Sequence, residues 1–509
     1  MPDGLDDKVF IGVDIGGSVV KAAAFDARGF EVTCCSRRIA STHPMPGRNE
    51  RDPEAMWQAA AAALRQVVAI LPGGPGSVAS LCCAGHGNGL YLLDERLQAL
   101  GSGIVSSDTR ASSLLSEFEM HPHAASVTRR RGQRFGIAEP SLLMTWMDRH
   151  EPDLVRRAAF LVMCKDYVRL RLTGRIETDL CDASGAALVN IADHGYDEEN
   201  FHRLGLSHWL PKLPPLRLST DLCGGVSAAA AAQTGLLEGT PVAAGMMDLE
   251  AVTLGSGVLD TAHLVMSAGT WNIDMQVTEH PCLDPLPLMQ SLCRNGTRYL
   301  LAEGSPTGAA NLSWLLGDIL EMSDPHWPEI NRLVSSLSAA DSQLVHLPCI
   351  NGSAGAEQGG FLGITGHVGR AHLLRAIYES NAFMHRFHAG QIRSVTGQPF
   401  ACGRLSGGVT RSDVWSQMFA DVLGLRIEVS DSTEIGALGC AVCAATAVGH
   451  HAELEIAVDA MTRVARSFEP DASVGRIYQQ KYEVFLEMRK ALRPHWGSFE
   501  QRVQPAAPA

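Results

Sequence analysis

Residues 9–13, Val-Phe-Ile-Gly-Val, form an apolar run that reaches Asp14 and is followed at once by Ile15-Gly16-Gly17-Ser18. A second apolar run begins at Val19 and extends to Phe25. Apolar and β-branched runs of this length predict buried strands. A carboxylate at the end of one is costly unless it finds a partner. Paired glycines open backbone angles closed to other residues and let a ligand approach the main chain. Asp26-Ala27-Arg28-Gly29 reads as a turn. The stretch therefore predicts a strand, a tight glycine turn and a returning strand, with Asp14 and Ser18 at the bend. Successive N–H groups in such a turn form a concavity suited to phosphate, and a nearby carboxylate suits Mg2+. An ordinary hairpin with a solvated aspartate fits the same residues. Neither a P-loop nor a Gly-x-Gly-x-x-Gly turn opening a helix is present here.

A chain of 509 residues is long enough for more than one domain, most simply two of roughly 250 residues each. Hydrophobic residues make up 46% and charged residues 19%, a globular balance. No run of about eighteen apolar residues predicts a membrane span. The start, MPDGLDDK, is acidic and lacks the apolar core of a signal peptide, which points to the cytoplasm. The net charge of −13 disfavours a nucleic-acid partner, since such binding relies on basic patches. An odd count of 13 cysteines, without an export signal, predicts reduced thiols. Cys440 and Cys443 have redox or zinc spacing, but GCAVCAATAVG reads as a buried helix and predicts core packing.

The first half alternates strand-like and helix-like pieces, the mark of an α/β domain. SVASLCCAGHGNGLYLLD predicts a strand, a glycine turn and a second strand. In RDPEAMWQAAAAALRQVVAIL, Asp52 can cap a helix, Pro53 fits its first turn, and Met56, Ala60, Leu64 and Val67 share one face. Near residue 240 the character repeats. GTPVAAGMMDLEAVTLGSGVL predicts a strand, a turn carrying Asp248 and a helix that ends in glycines. HLVMSAGTWNIDMQV then mirrors the opening hairpin. Two such units, one opening each half, suggest two related domains with a nucleotide held between their turns. The tail after Arg493, ending QPAAPA, is expected to fray.

The motif GGFLGITGHVGRAHLLRAIYE lies between SAGTW and SGGVTRSDVWSQMFADVLGLRIEV, after PGRNERDPEAMW and KDYVRLRLTGRIETDLCDASGAAL, and these motifs follow one another in one order along the chain. In that order they resemble the FGGY carbohydrate kinases over about residues 8–490. In GGFLGITGHVGRAHLLRAIYE, Gly359, Phe361, Gly363, Ile364, His372, Leu373, Ala376, Ile377, Tyr378 and Glu379 fit the family's second signature at every defined position. The other signature is met less fully. In EPSLLMTWMDRHEP, Pro140 and Trp146 fit, but Leu143 stands where a lysine is usual.

The resemblance implies two actin-like, ribonuclease-H-like α/β domains with a nucleotide and sugar cleft between them. The N-terminal domain would span residues 1–256 and the C-terminal domain 257–493, with a flexible tail over 494–509. It also implies transfer of the γ-phosphoryl of ATP, with Mg2+, to a sugar or polyol hydroxyl. Asp248 matches the catalytic base, although an aspartate before LEAVTLG is also a natural helix cap. Asp14 matches the residue that holds Mg2+ through water. Gly16, Gly17 and Ser18 match the first phosphate turn, and Gly269 and Thr270 the second. Lys21 follows the first turn as either a phosphate contact or a solvated strand lysine. Gly407, Gly408 and Ser412 match the adenosine site, Ser412 also being placed to cap a helix. His86 and Gly87 match a pair that meets the sugar in pentulose kinases. Asp108 and Arg110 match an element near the substrate, or pair with each other.

The His-Gly pair favours xylulose. SSDTR and SAGTW look like the L-xylulose and erythritol kinase branches, so a polyol such as erythritol or glycerol is the alternative substrate. A catalytically silent actin-like sugar sensor is the alternative function. The resemblance implies a small-molecule partner, neither nucleic acid nor membrane, and allows a homodimer.

Overall fold

The computed structural model describes residues 8–269, 271–308, 310–322, 324–350 and 357–502, with side chains to residue 496. The chain forms two compact units. One comprises Met1–Thr261, Val277–Ala302 and Ser432–Arg463; the other comprises Ala262–Gln276, Glu303–Asp431 and Val464–Ala509. The division expected between residues 256 and 257 follows chain order. Packing instead places two later segments with the first unit.

In the first unit, strands β1 (Val9–Ile15), β2 (Val19–Asp26), β3 (Glu31–Arg38), β4 (Val78–Gly85), β5 (Leu222–Gly225) and β6 (Pro241–Ala243) pair in the order β5-β6-β4-β1-β2-β3. A short strand β7 (Met246–Met247) also joins β4. β1 runs antiparallel to β2, with Asp14 opposite Lys21, and parallel to β4, with Asp14 opposite Ala84. The predicted opening hairpin is therefore present. So is the capped helix: Pro53–Ile70 begins after Asp52, whose carboxylate accepts the Glu54 N–H at 2.9 Å. Its Met56, Trp57, Ala60, Leu64 and Val67 are wholly buried, which fixes the helix on one face.

The helix Ile435–Ala447 belongs to this unit because its small residues allow backbone contact. A Cβ on Gly12 of β1 would lie 1.8 Å from the Ala437 carbonyl oxygen. One on Gly439 would lie 1.8 Å from that of Ala251, and one on Gly255 2.0 Å from that of Ile435. Alanine at any of the three positions would force the helix away from β1 or from the helix Asp248–Gly255. Cys440 and Cys443 are fully buried in it, as expected for core packing. No disulfide joins any of the 13 cysteines.

In the second unit, β8 (His263–Ala268) and β9 (Asn272–Thr278) form the mirrored hairpin, closed by Ala268 opposite Asn272. β10 (Cys402–Ser406) runs parallel to β8, β11 (Ile427–Ser430) parallel to β10, and β12 (Val464–Phe468) antiparallel to β11. Both units thus start on an antiparallel pair whose first strand gains a parallel neighbour from far along the chain. The helix Arg370–Thr396 carries the best-fitting motif and buries Ile377, Tyr378 and Phe383. Tyr378 stacks on Trp415 with ring centroids 3.8 Å apart. The last helix, Ala472–Arg502, runs past residue 494, where the sequence led us to expect a tail. No helix of the described residues is long and apolar enough to cross a membrane.

Candidate active site

The turn between β1 and β2 is shaped by a side chain that sequence reasoning missed. Arg51 is fully buried and donates to the carbonyls of Gly16, at 3.4 Å, and Gly17. In a trans peptide the N–H points opposite to the C=O of the same unit. Arg51 therefore directs the N–H groups of Gly17 and Ser18 away from itself, and among the described residues neither has a hydrogen-bond partner. Gly16 closes the turn by donating to the Val19 carbonyl at 3.0 Å. A Cβ at position 17 would meet nothing within 4 Å, so the turn is uncrowded at that position. Two free N–H groups over a buried guanidinium make an anion cradle.

Asp14 stands two residues before Gly16, against the first residues of the helix Ile435–Ala447. A Cβ on Gly436 would lie 2.7 Å from its Oδ2, so any side chain there would push the carboxylate aside. Burial pushes the Asp14 carboxyl up to about 6; Lys21 pulls it down and Glu434 adds to the rise. Lys21 itself pairs with Glu434 at 2.8 Å, which favours an ion pair over a phosphate contact.

Asp248 opens the helix Asp248–Gly255. Met247 holds the cap position, so the alternative reading of Asp248 as an N-cap does not hold. Burial raises the Asp248 carboxyl well above the usual carboxylate range; the charges of Asp14 and Asp182 add to this, and the Leu249 N–H opposes it. Carboxylates that raise one another are disposed to take a cation or a proton. Asp14 therefore fits the role of a Mg2+ ligand by charge.

His86 follows β4, its N–H donating to the Ile15 carbonyl at 3.1 Å, which ties it to the end of β1. Burial pushes the imidazole down to about 4, and Arg51 adds to the fall, so the ring is neutral. Its Nδ1 lies 3.3 Å from the Gly87 carbonyl, while Nε2 is buried with no partner. With Nδ1–H donating to Gly87, Nε2 is an acceptor awaiting a donor.

Asp108 and Arg110 pair at 2.9 Å, and Arg110 also reaches Glu50 at 2.7 Å. Asp108 further accepts the Asn49 N–H at 2.7 Å. Among the described residues no hydrogen bond or ion pair joins this set to His86. Leu143 is fully buried within an apolar cluster that includes Leu142, Met144 and Phe118. A lysine there would need a counter-charge that the cluster lacks.

In the second unit, Gly269 donates to the Trp271 carbonyl at 3.1 Å in the turn between β8 and β9. Thr270 lies outside the described residues. Gly407 has φ +98°, and a Cβ there would lie 2.3 Å from the Ala268 carbonyl oxygen. Its place is thus required by the approach to β8, whereas Gly408 has no atom near its missing Cβ. Ser412 caps the helix Asp413–Leu423 by accepting the Trp415 N–H at 3.2 Å, as predicted. The donor atoms of His263, Cys402 and Glu428 lie within 4.8 Å of one another. Glu428, however, pairs with Arg404 at 3.1 Å and Arg426 at 3.0 Å, which makes the group an ion-pair cluster.

Residues 9–255 match the N-terminal domain of the FGGY family of carbohydrate kinases, and residues 264–448 match its C-terminal domain. A probable L-xylulose kinase of Pasteurella multocida is 32% identical over 95% of this chain and 99% of its own. An L-xylulose/3-keto-L-gulonate kinase of Escherichia coli is 32% identical over 95% of this chain and 97% of its own. In fold, a ligand-bound xylulose kinase of Lactobacillus acidophilus superposes with a TM-score of 0.86 at 21% identity, covering 97% of this chain and 100% of that one. The catalytic signatures, the doubled hairpin architecture and these matches agree: the chain belongs to the FGGY family of carbohydrate kinases.

Proposed function

We propose that this kinase transfers the γ-phosphoryl of Mg-ATP to a hydroxyl of a xylulose-type pentulose, L-xylulose first among them, with Asp248 as the general base. The observation that carries this reading is the Asp248 carboxyl, raised by burial and by the charges of Asp14 and Asp182. Phosphoryl transfer requires an aligned hydroxyl with a proton acceptor, and a carboxyl whose surroundings favour its protonated form is disposed to take that proton. The N–H groups of Gly17 and Ser18, set by Arg51, receive the phosphates. Asp14 would hold Mg2+, which when bound neutralises phosphate charge. His86 and Gly87 meet the sugar, and Asp108 and Arg110 frame that end through their pairing with Glu50. Residues 1–256 supply these groups. Residues 257–493 supply the second phosphate turn, Gly269 and Thr270, and the adenosine site at Gly407, Gly408 and Ser412. The two relatives at 32% identity support L-xylulose as the first candidate. The protein is proposed to work in the cytoplasm, and a homodimer is the assembly to test.

The test is a coupled ADP-release assay with Mg-ATP. The panel contains D- and L-xylulose, D- and L-ribulose, 3-keto-L-gulonate, erythritol, arabitol, xylitol and glycerol. One substrate that stands out, and is lost in Asp248→Asn, supports the reading. No turnover by a folded protein that binds ATP overturns it in favour of a silent sugar sensor.

A further inference from the structure

Lys165, at the start of the helix Cys164–Thr173, is fully buried and meets three buried carboxylates. Its Nζ lies 2.6 Å from Asp166, 2.5 Å from Asp179 and 3.2 Å from Asp182. Arg169, also fully buried, adds a second cation 3.1 Å from Asp166. Three carboxylates face two cations, and the three are not equally held. Asp166 accepts from Lys165 and from the Thr178 hydroxyl at 2.7 Å. Asp179 caps the helix Leu180–Gly185 by accepting the Asp182 N–H at 3.0 Å. Asp182 has the longest contact with Lys165, and beyond that ion pair its oxygens meet no hydrogen-bond donor among the described residues. A buried carboxylate held by one long ion pair is under-satisfied, which marks Asp182 as the member of the cluster awaiting a further donor.

Its position says which donor. A Cβ on Gly87 would lie 3.8 Å from Asp182 Oδ1 and 2.4 Å from the sulfur of Met247. A Cβ on Gly185 would lie 2.9 Å from the Met247 methyl carbon. The Met247 side chain thus lies between two glycines beside Asp182, one residue before Asp248. Unbranched methionine shifts easily between rotamers, so it makes a displaceable cover. Next along the chain from Gly87 and Met247 are His86, whose Nε2 is an acceptor without a partner, and Asp248, whose carboxyl feels the Asp182 charge. With Asp182, these are three acceptors. A ligand that satisfies them donates repeatedly, as a polyhydroxylated neutral chain does and a carboxylate does not.

We infer that Asp182 is a sugar-binding residue, accepting a hydrogen bond from a second hydroxyl of the ketose that Asp248 deprotonates. This rests on the kinase reading above. Lys165 holds Asp182 in place, and Met247, packed in the space that Gly87 leaves, is the side chain the sugar displaces. The hydrogen bond is charge-assisted, so it selects ketoses that present a hydroxyl at that point of the chain.

The test compares wild type with Asp182→Asn, using the best ketose of the panel. The expected result is a sugar KM raised about tenfold or more, as for loss of a hydrogen bond to a charged group, with the KM for ATP unchanged. The deoxy analogue that lacks the bonded hydroxyl is expected to bind the variant and wild type alike, closing the cycle. An unchanged sugar KM with a lowered Tm overturns the assignment and leaves Asp182 a partner of Lys165 only. Should Asp182→Asn fail to fold, wild type is titrated calorimetrically with the ketose and its 1-, 3- and 4-deoxy analogues. Equal binding of all four overturns the assignment, and weakening confined to one or two positions supports it. Absence of wild-type turnover on every ketose would instead strike the kinase reading itself.

Discussion

Each unit opens on a β-hairpin, and each hairpin carries an aspartate, yet the two aspartates sit in opposite circumstances. β1 and β2 close on the pair Ile15 and Val20; β8 and β9 close on the pair Ala268 and Asn272. In the first, Asp14 lies at the strand end with its carboxyl pushed up to about 6. In the second, Asp274 is wholly buried within β9, and its carboxylate accepts from His385 Nδ1 at 2.9 Å and His388 Nδ1 at 3.2 Å. His388 Nε2 continues to the Ser305 hydroxyl at 3.0 Å. Serine, histidine and aspartate in that order have the look of a nucleophilic triad. Asp274, however, is shared with a second histidine, and Ser305 with the Thr307 hydroxyl at 2.7 Å, so the chain of bonds holds β9 to the helix Arg370–Thr396. A satisfied buried carboxylate braces the fold, while one left hungry for a proton or cation is available for chemistry.

The largest effect expected from that contrast is at Asp248, a third aspartate of the hungry kind. Asp248→Asn is expected to lower kcat by about 10²–10⁴, or about 3–5 kcal/mol of barrier, the usual range for a general base. ATP binding measured by calorimetry should persist, and Tm should not fall, because removing the charge relieves repulsion with Asp14 and Asp182. A variant with near-normal turnover would place Asp248 among the structural aspartates. Asp274→Asn should behave in the opposite way. It leaves at least one imidazole without its acceptor, a loss of about 1–3 kcal/mol for each buried group unpaired. Tm should drop while kcat per folded molecule stays near wild type. A drop in kcat without a drop in Tm would break the comparison.

Much of this was legible in sequence because it is local. The hairpin at 9–26, the Asp52 cap and the Ser412 cap are each decided by residues a few places apart, and propensity and capping chemistry suffice to read them. The roles proposed for Asp14 and Asp248 were legible only through resemblance, since a lone aspartate before a helix reads equally well as a cap. Arg51 was not legible: it shapes the glycine turn from 35 residues away in sequence, within a motif whose only local signal was the helix start at Pro53. Gly436 and Asp14 are farther apart still, and the glycine-rich helix gave no hint of the face it would press on the carboxylate. Asp182 lay within a quoted motif, but its under-satisfied oxygens are visible only when Asp166, Asp179 and Asp182 are seen to share Lys165.

Asp14→Asn sharpens the contrast with Asp274 through pH. The Asp14 carboxyl is raised from the ordinary 3.8 to about 6 in the fold. Between those values the folded chain binds more protons than the unfolded one, so ionising Asp14 costs stability as pH rises through the window. The neutral variant should therefore show a higher Tm than wild type above about pH 6 and no gain below about pH 4. The same change should weaken the Mg2+ dependence of turnover. Aspartate to asparagine would thus raise Tm at 14 and lower it at 274; the same sign at both positions would remove the distinction.

Lys21 gives the smallest and most discriminating effect. Its ion pair with Glu434 is 40% exposed at the lysine, and such pairs contribute about 0.2–1 kcal/mol, less at high salt. Lys21→Ala should barely move Tm. The cation, however, also lowers the Asp14 pKa, so its loss should raise that pKa beyond about 6. The acid limb of the kcat/KM profile would then shift to higher pH, and the shift should vanish when Lys21→Ala is combined with Asp14→Asn. If Lys21 instead gripped phosphate, its removal would raise the KM for ATP at every pH and leave the acid limb in place. The direction in which the profile moves thus decides whether this lysine serves the carboxylate or the nucleotide.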